Sequence, residues 1–277
     1  MDTAQQVPPD GVRRPSNALT VVLACILTAL LVAALVAASN PAGHWWSDGG
    51  DRMHPALPAD AASAPLARPA PAPSGTGGYR MLEFEDDGSG RPVRWDPCRP
   101  IHYVIRPDGA PVGGQLAITH AIARVEQVTG LRFSFDGDTR EAPQPNRPTV
   151  DVAQYGSRWS PVLIAWTNPT EYPAMDGYAG VGGPDTVAGS TPGHRRYVSG
   201  VILLNRDHLS QVVQWEDGQE RLDAVVLHEF GHLVGLDHVP DPTQLMYKQP
   251  TAHAGGFGDG DRRGLALLSG GPCFRDF

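Results

Sequence analysis

Positive charge is in short supply. The 277-residue chain has 22 lysines and arginines against 30 aspartates and glutamates, a net charge of −8. Nowhere do the basic residues form a stripe able to displace counterions from phosphates, which excludes a general nucleic-acid grip. Cysteine is equally sparse, with three in all. Cys25 falls inside an apolar run, where it acts as a small hydrophobe. That leaves Cys98 and Cys273, which pair if their part of the chain faces an oxidising compartment. A bridge joining ends so far apart would remove about 4 to 5 kcal/mol of unfolded-state entropy in the chain-entropy model. There is no internal repeat.

Hydrophobic residues make up 41% of the chain, an ordinary share, but they are unevenly spread. Residues 18–38, ALTVVLACILTALLVAALVAA, contain no charge, proline or glycine. At about 1.5 Å per residue such a helix crosses roughly 30 Å of hydrocarbon, so the segment reads as a transmembrane signal anchor. The apolar core of a cleavable signal peptide is only about 7 to 15 residues long. The small residues after the run keep secretion by cleavage near residue 38 as the alternative. Arg13 and Arg14 precede the run and the first basic residue after it is Arg52. The positive-inside rule then puts residues 1–17 in the cytoplasm and everything beyond residue 40 outside. The arginine pair lacks the surroundings of a twin-arginine export signal.

Residues 39–78 are dominated by Pro, Ala, Gly and Ser. They cannot bury enough apolar surface to fold alone and read as a stalk, with Trp45 and Trp46 at the headgroup level and His44 and His54 as solvated residues. From Tyr79 the texture changes. Strands are expected at 101–107, 131–135, 149–156, 161–167 and 198–205. Helices are expected at 115–130, closing on Gly130, at 219–235 and at 261–268. The Gly- and Pro-rich stretch 168–197 has no assignable pattern. This order implies an α+β domain over 79–277, a mixed sheet with helices packed on it.

Within it, HEFGHLVGLDH at 228–238 places three of the chain's ten histidines and a glutamate in eleven residues. On a helix His228 and His232 stand one turn apart on one face, and Glu229 is close enough to reach a water on an ion they hold without ligating it. Gly235 is where the helix ends, since glycine accepts the left-handed backbone of a C-terminal cap. A turn there brings His238 to the same ion, leaving one coordination position open as in catalytic zinc sites. At this chain's own residue frequencies HExxH is expected roughly 0.01 times, and HExxHxxGxxH on the order of 0.00005 times. Coincidence in a core helix is therefore a poor account. Leu222, Val226, Phe230 and Leu233 form the apolar face that packs such a helix.

The motif, together with LMY at 245–247, resembles the metzincin zinc endopeptidases, most closely their matrixin-like branch. The resemblance covers roughly residues 95–270. It implies a metzincin-like twisted mixed sheet with an active-site helix and a C-terminal helix. It further implies one catalytic Zn2+ on His228, His232 and His238, Glu229 as general base, and Met246 as the methionine turn beneath the zinc. A protein or peptide substrate is implied, bound as an extended strand at the sheet edge. Tyr247 is assigned at most to the specificity pocket, because the tyrosine ligand of astacins would fall at Lys248.

The chain also departs from that family. The latency motif PRCGxPD is absent, and Cys98 in WDPCRP is a poor substitute. The region near 168–184 lacks the His-Gly-Asp of structural metal loops, leaving Asp176 and Asp185 as unsupported calcium candidates, with turn formation the commoner use of loop aspartates. His102, His120, His194, His208 and His253 have no partner at ligand spacing. Two other readings stand beside the membrane-anchored peptidase. One is an idle domain binding peptides or wall components through the same cleft. The other is a zinc hydrolase of a non-protein cell-wall bond. A monomer is assumed.

Overall fold

A computed structural model describes residues 55–249 and 255–275. The expected transmembrane helix 18–38, the cytoplasmic tail 1–17, His44, His54 and His253 lie outside the described residues. Among those described, no helix is long and apolar enough to cross a membrane.

In chain order the elements are β1 (Arg80–Met81), β2 (Ile101–Arg106), α1 (Gly114–Thr129), β3 (Phe133–Asp138), α2 (Val152–Tyr155), β4 (Val162–Thr167), β5 (Gly180–Ala188), β6 (Arg195–Asn205), α3 (Arg206–Val212), α4 (Gly218–Leu233), β7 (Leu236–Asp237) and α5 (Asp259–Ser269). Five strands make one sheet in the order β3-β2-β4-β6-β5, and β1 pairs with β7 separately. β3, β2, β4 and β6 run parallel while β5 returns antiparallel along β6. The expected mixed α+β architecture is therefore present, with β5 at the sheet edge.

The two faces of the sheet follow from strand alternation. β4, VLIAWT, is buried throughout, and its neighbours point opposite ways. Ile164 and Trp166 join the main core with Ile118 and Val125 of α1 and Leu222, Val226 and Phe230 of α4. Leu163 and Ala165 join a smaller cluster with Val104, Met175 and Leu203, flanked by Tyr155 and Tyr172. Helices thus cover one face, and loops with the one-turn α2 cover the other. Gly130 closes α1 at φ 72, its N–H donating to the Glu126 carbonyl, as its position after the periodic run predicts.

Two expected elements differ. The run 149–156 is not a strand: Asp151 accepts hydrogen bonds from the backbone of Ala153 and Gln154 and nucleates α2. A capped turn there satisfies backbone groups that β-propensity alone would leave unpaired. The stretch 168–197, left unassigned, contains all of β5 and the start of β6. Its glycines disguise a strand whose side chains have been removed to let another element approach, as described below.

The segment expected to be a solvated stalk is docked over residues 55–78. Ala62 and Leu66 donate backbone hydrogen bonds to Cys98 and Pro97, and Ala70 donates to Val128. Asp60 meets His102 at 2.8 Å. The guanidinium of Arg263 holds the carbonyls of Gly75 and Gly77. The segment has too few aliphatic residues to fold alone, as its composition implies. It is fixed instead through its main chain, which proline leaves extended and glycine lets approach closely.

Cys98 and Cys273 form a disulfide across 175 residues of sequence. In the Cys98→Ser, Cys273→Ser double variant, urea unfolding is expected to show a loss of about 4 kcal/mol, and an unchanged midpoint would refute a stabilising role for the bridge.

Candidate metal centre

α4 presents His228, Glu229 and His232 at its C-terminal end, all buried. The chain then turns at Gly235, φ 111, where a Cβ would lie 2.9 Å from Leu268 and 3.0 Å from Tyr197. Both backbone angle and space therefore require glycine. The turn leads into β7 and returns His238 to the helix. Its Nε2 lies 3.1 Å from Nε2 of His228 and 3.2 Å from that of His232. Three nitrogens around a tetrahedral zinc with bonds of about 2.0–2.1 Å stand about 3.3 Å apart. The observed spacing matches that arrangement. The trio is a group able to hold a metal ion.

The tautomers agree. His228 Nδ1 is 2.8 Å from the Leu245 carbonyl, and His232 Nδ1 is 2.8 Å from the Leu236 carbonyl. A carbonyl only accepts, so each Nδ1 carries the proton and each Nε2 turns a lone pair to the common point. Burial lowers all three imidazoles, His228 to about 4 and His232 well below its ordinary value; neighbouring histidines add to the effect at His228 and His232, whereas at His238 Asp237 opposes it and Lys248 and Arg80 add to it. They are held neutral, as ligands must be.

Glu229 sits under the edge strand. A Cβ on Gly180 would come within 2.7 Å of its carboxylate, and one on Gly182 within 2.9 Å of its Cβ. The glycines of β5 thus let that strand lie directly on α4. Burial pushes the Glu229 carboxyl up to about 8, opposed by a hydrogen bond from the Gly182 backbone. A cation held by the histidines favours its ionised form.

Beneath the trio, Met246 is fully buried. A Cβ on Gly231 would press on its thioether, so the glycine between the two helical histidines is the counterpart of the methionine. The turn is fixed by two residues that the sequence reading passed over. Asp261 Oδ2 accepts from the backbone of Leu245 at 2.8 Å and Gly258 at 3.0 Å. Gln244 Oε1 accepts from the backbone of Gly260 and Asp261. The available signal was an acidic residue three positions after Gly258 at a helix start. Trp95 was also missed; its indole N–H donates to the Leu233 carbonyl at 2.8 Å, satisfying a carbonyl at the buried C-terminal end of α4. Tyr247 is half-buried beside Met246, its backbone bonded to Gln244.

The remaining sequence candidates do not converge here. Cys98 is in the disulfide and has no thiol to offer zinc. His102 lies between Asp60 and Asp136, and His120 faces Asp223. His194 is beside Asp87, and the backbone N–H of His208 is bonded to Asn205 at the start of α3. Asp176 is exposed after a short 3-10 turn. Asp185 points inward to Arg147 and Ser199, and burial raises its carboxyl to about 6, with Glu83 adding to the effect. The loop before β5 is braced by Glu171, which pairs with Arg106 and Arg206. Two guanidinium groups thus take up the Glu171 carboxylate.

Among known proteins, the matrixin family model (peptidase M10) matches residues 164–265. No curated protein matches the sequence. Of the solved structures, the chain is similar to metalloproteinase-II from Bacteroides fragilis, with 12% identity and a TM-score of 0.35 over 65% of this chain and 56% of that one.

Two predictions follow from this geometry. Asp261→Ala strands one buried and one part-buried N–H group and should cost about 1–3 kcal/mol in chemical unfolding; a loss under 0.5 kcal/mol would show that the turn holds without it. Asp185 has a folded pKa above its ordinary 3.8, so it destabilises the fold fully above about pH 6 and not at all below pH 3.8. Asp185→Asn should therefore gain about 1–3 kcal/mol at pH 7 and little at pH 4, and a gain independent of pH would contradict this assignment.

The three histidines, Glu229 and Met246 all lie in residues 164–265, the segment that the matrixin family model matches.

Proposed function

We propose that the protein is a zinc-dependent endopeptidase, anchored in the membrane by residues 18–38 with its catalytic domain, 79–277, outside the cytoplasm. The observation that carries the catalytic part is the meeting of three imidazole Nε2 atoms beside a buried carboxylate under the edge of a sheet. A pure binding site has no use for that carboxylate. Burying it without a partner is costly.

His228, His232 and His238 are the ligands, each through Nε2. Bound there, zinc supplies a lowered pKa for water and polarisation of the scissile carbonyl. The chain's own groups do the rest. The outer edge of β5 offers unpaired backbone groups to an extended peptide, which would lie antiparallel on it and present its carbonyl above the histidines. Glu229, held against Gly180 and Gly182, takes the proton of the attacking water and hands it to the leaving amine. Tyr247, at the start of the segment after Met246, borders the pocket for the side chain that follows the cleaved bond.

The location rests on the apolar length of 18–38 and the arginines before it. The disulfide agrees with an oxidising surrounding. The polypeptide used in a test should begin at or before residue 55, because 55–78 are docked on the domain.

The test is cleavage of a peptide library by residues 55–277 with added zinc, read by mass spectrometry beside Glu229→Gln. We expect chelator-sensitive cleavage at internal bonds and a drop of at least about 1,000-fold in the variant, with zinc still bound. A folded, zinc-loaded wild type that leaves every peptide intact would overturn the endopeptidase reading in favour of a non-protein bond or a binding role.

A further inference from the structure

We infer that residues 75–81 and Arg263 are positioning elements of the metal centre, so that the upstream segment helps set zinc affinity. The inference rests on the zinc reading above. β7, only two residues long, carries the Leu236 carbonyl that orients His232, and it leads directly into His238. Its pairing partner is β1, with Arg80 opposite Asp237 and Met81 opposite Leu236. Leu82 extends the pairing by donating to the Gly235 carbonyl at 2.9 Å. Asp237 ties the two together: one carboxylate oxygen accepts from the backbone N–H of His238 at 2.7 Å, and the other lies 3.6 Å from Arg80.

The third ligand depends on the same segment. His228 is oriented by Leu245, whose turn is held by Gln244 and Asp261. Gly77 presses on this Gln244, and a Cβ there would stand 2.9 Å from its amide nitrogen. Gly78 packs against Gly260 so closely that a Cβ on Gly260 would collide with the Gly78 carbonyl. The clamp that keeps 75–78 in place is Arg263, on the solvent side of α5. Its guanidinium donates to the carbonyls of Gly75, Thr76 and Gly77. Arg263 touches no ligand. It acts through the glycines on Gln244 and through β1 on β7, the two supports of the imidazole tautomers.

This separates the near end of the upstream segment from its far end. Asp60 contacts His102 on β2 and has no connection to β7 or the methionine turn. Loosening the far end should leave the metal centre as it is, whereas loosening 75–81 should not.

The experiment measures zinc dissociation constants of residues 55–277 by competition with a chelating dye, for wild type, Arg263→Ala, Gly77→Ala and Asp60→Ala. Visible spectra of the cobalt-loaded proteins report ligand geometry. Circular dichroism and thermal melting check folding. Outer partners of metal ligands typically set affinity by about 10- to 100-fold. We expect about tenfold weaker zinc and a shifted cobalt band in both Arg263→Ala and Gly77→Ala, with Asp60→Ala within twofold of wild type. Gly77→Ala keeps the inference testable should Arg263→Ala not fold. Wild-type affinity and spectra in both near-end variants would overturn it. Equal weakening in Asp60→Ala would also do so, by making the segment a general stabiliser. A wild type that binds no zinc would overturn the zinc reading as well, which distinguishes the two failures.

Discussion

Two hydrogen bonds organise the centre: the Nδ1–H groups of His228 and His232 donating to the carbonyls of Leu245 and Leu236. An imidazole without such a partner can take either tautomer and rotate, and its metal affinity falls accordingly. Both acceptors are backbone atoms of turns that are themselves short of regular structure. The remainder of this half of the molecule exists to hold those turns. α5 supplies Asp261, the methionine turn supplies Gln244, and β1 lends β7 a pairing partner.

Glycine has three separate uses around this point. Gly235 accepts a backbone angle that other residues resist, and Gly231 leaves room for Met246. Gly180 and Gly182 thin the edge strand so that α4 can bring Glu229 against it. The first is both conformational and steric, and the others are steric. All make the helix, the turn and the sheet edge approach more closely than ordinary side chains allow, and that proximity produces a buried carboxylate next to three neutral imidazoles.

One buried ion pair and two partly buried ones brace the far side of the sheet. Arg147 and Glu141 pair at 2.6 Å with both side chains almost fully enclosed, and Tyr155 donates to the same carboxylate. Glu171 joins Arg106 of β2 to Arg206 of α3. Such pairs contribute little net stability once desolvation is counted, but breaking one partner leaves a charge stranded. They fix the loops before β4 and β5 in a single arrangement.

The local features were legible in the sequence because they depend on near neighbours. Helical spacing of His228 and His232, the stop at Gly235, the Gly130 cap and the alternation in β4 all follow from backbone geometry within a few residues. The three histidines that meet could be named for the same reason. What failed to read were features whose cause is distant: β5, whose glycines look like a loop until α4 is placed on it; α2, decided by the Asp151 cap against a β-like composition; and Asp261, Gln244 and Trp95, ordinary residues until the turn they hold is known. Residues 55–78 show the division most plainly. Composition correctly says that they cannot form a core of their own, because they have too little apolar surface to offset the entropy of ordering. Only the tertiary structure supplies the carbonyls, the guanidinium of Arg263 and the glycine-to-glycine contacts that order them against a surface already built.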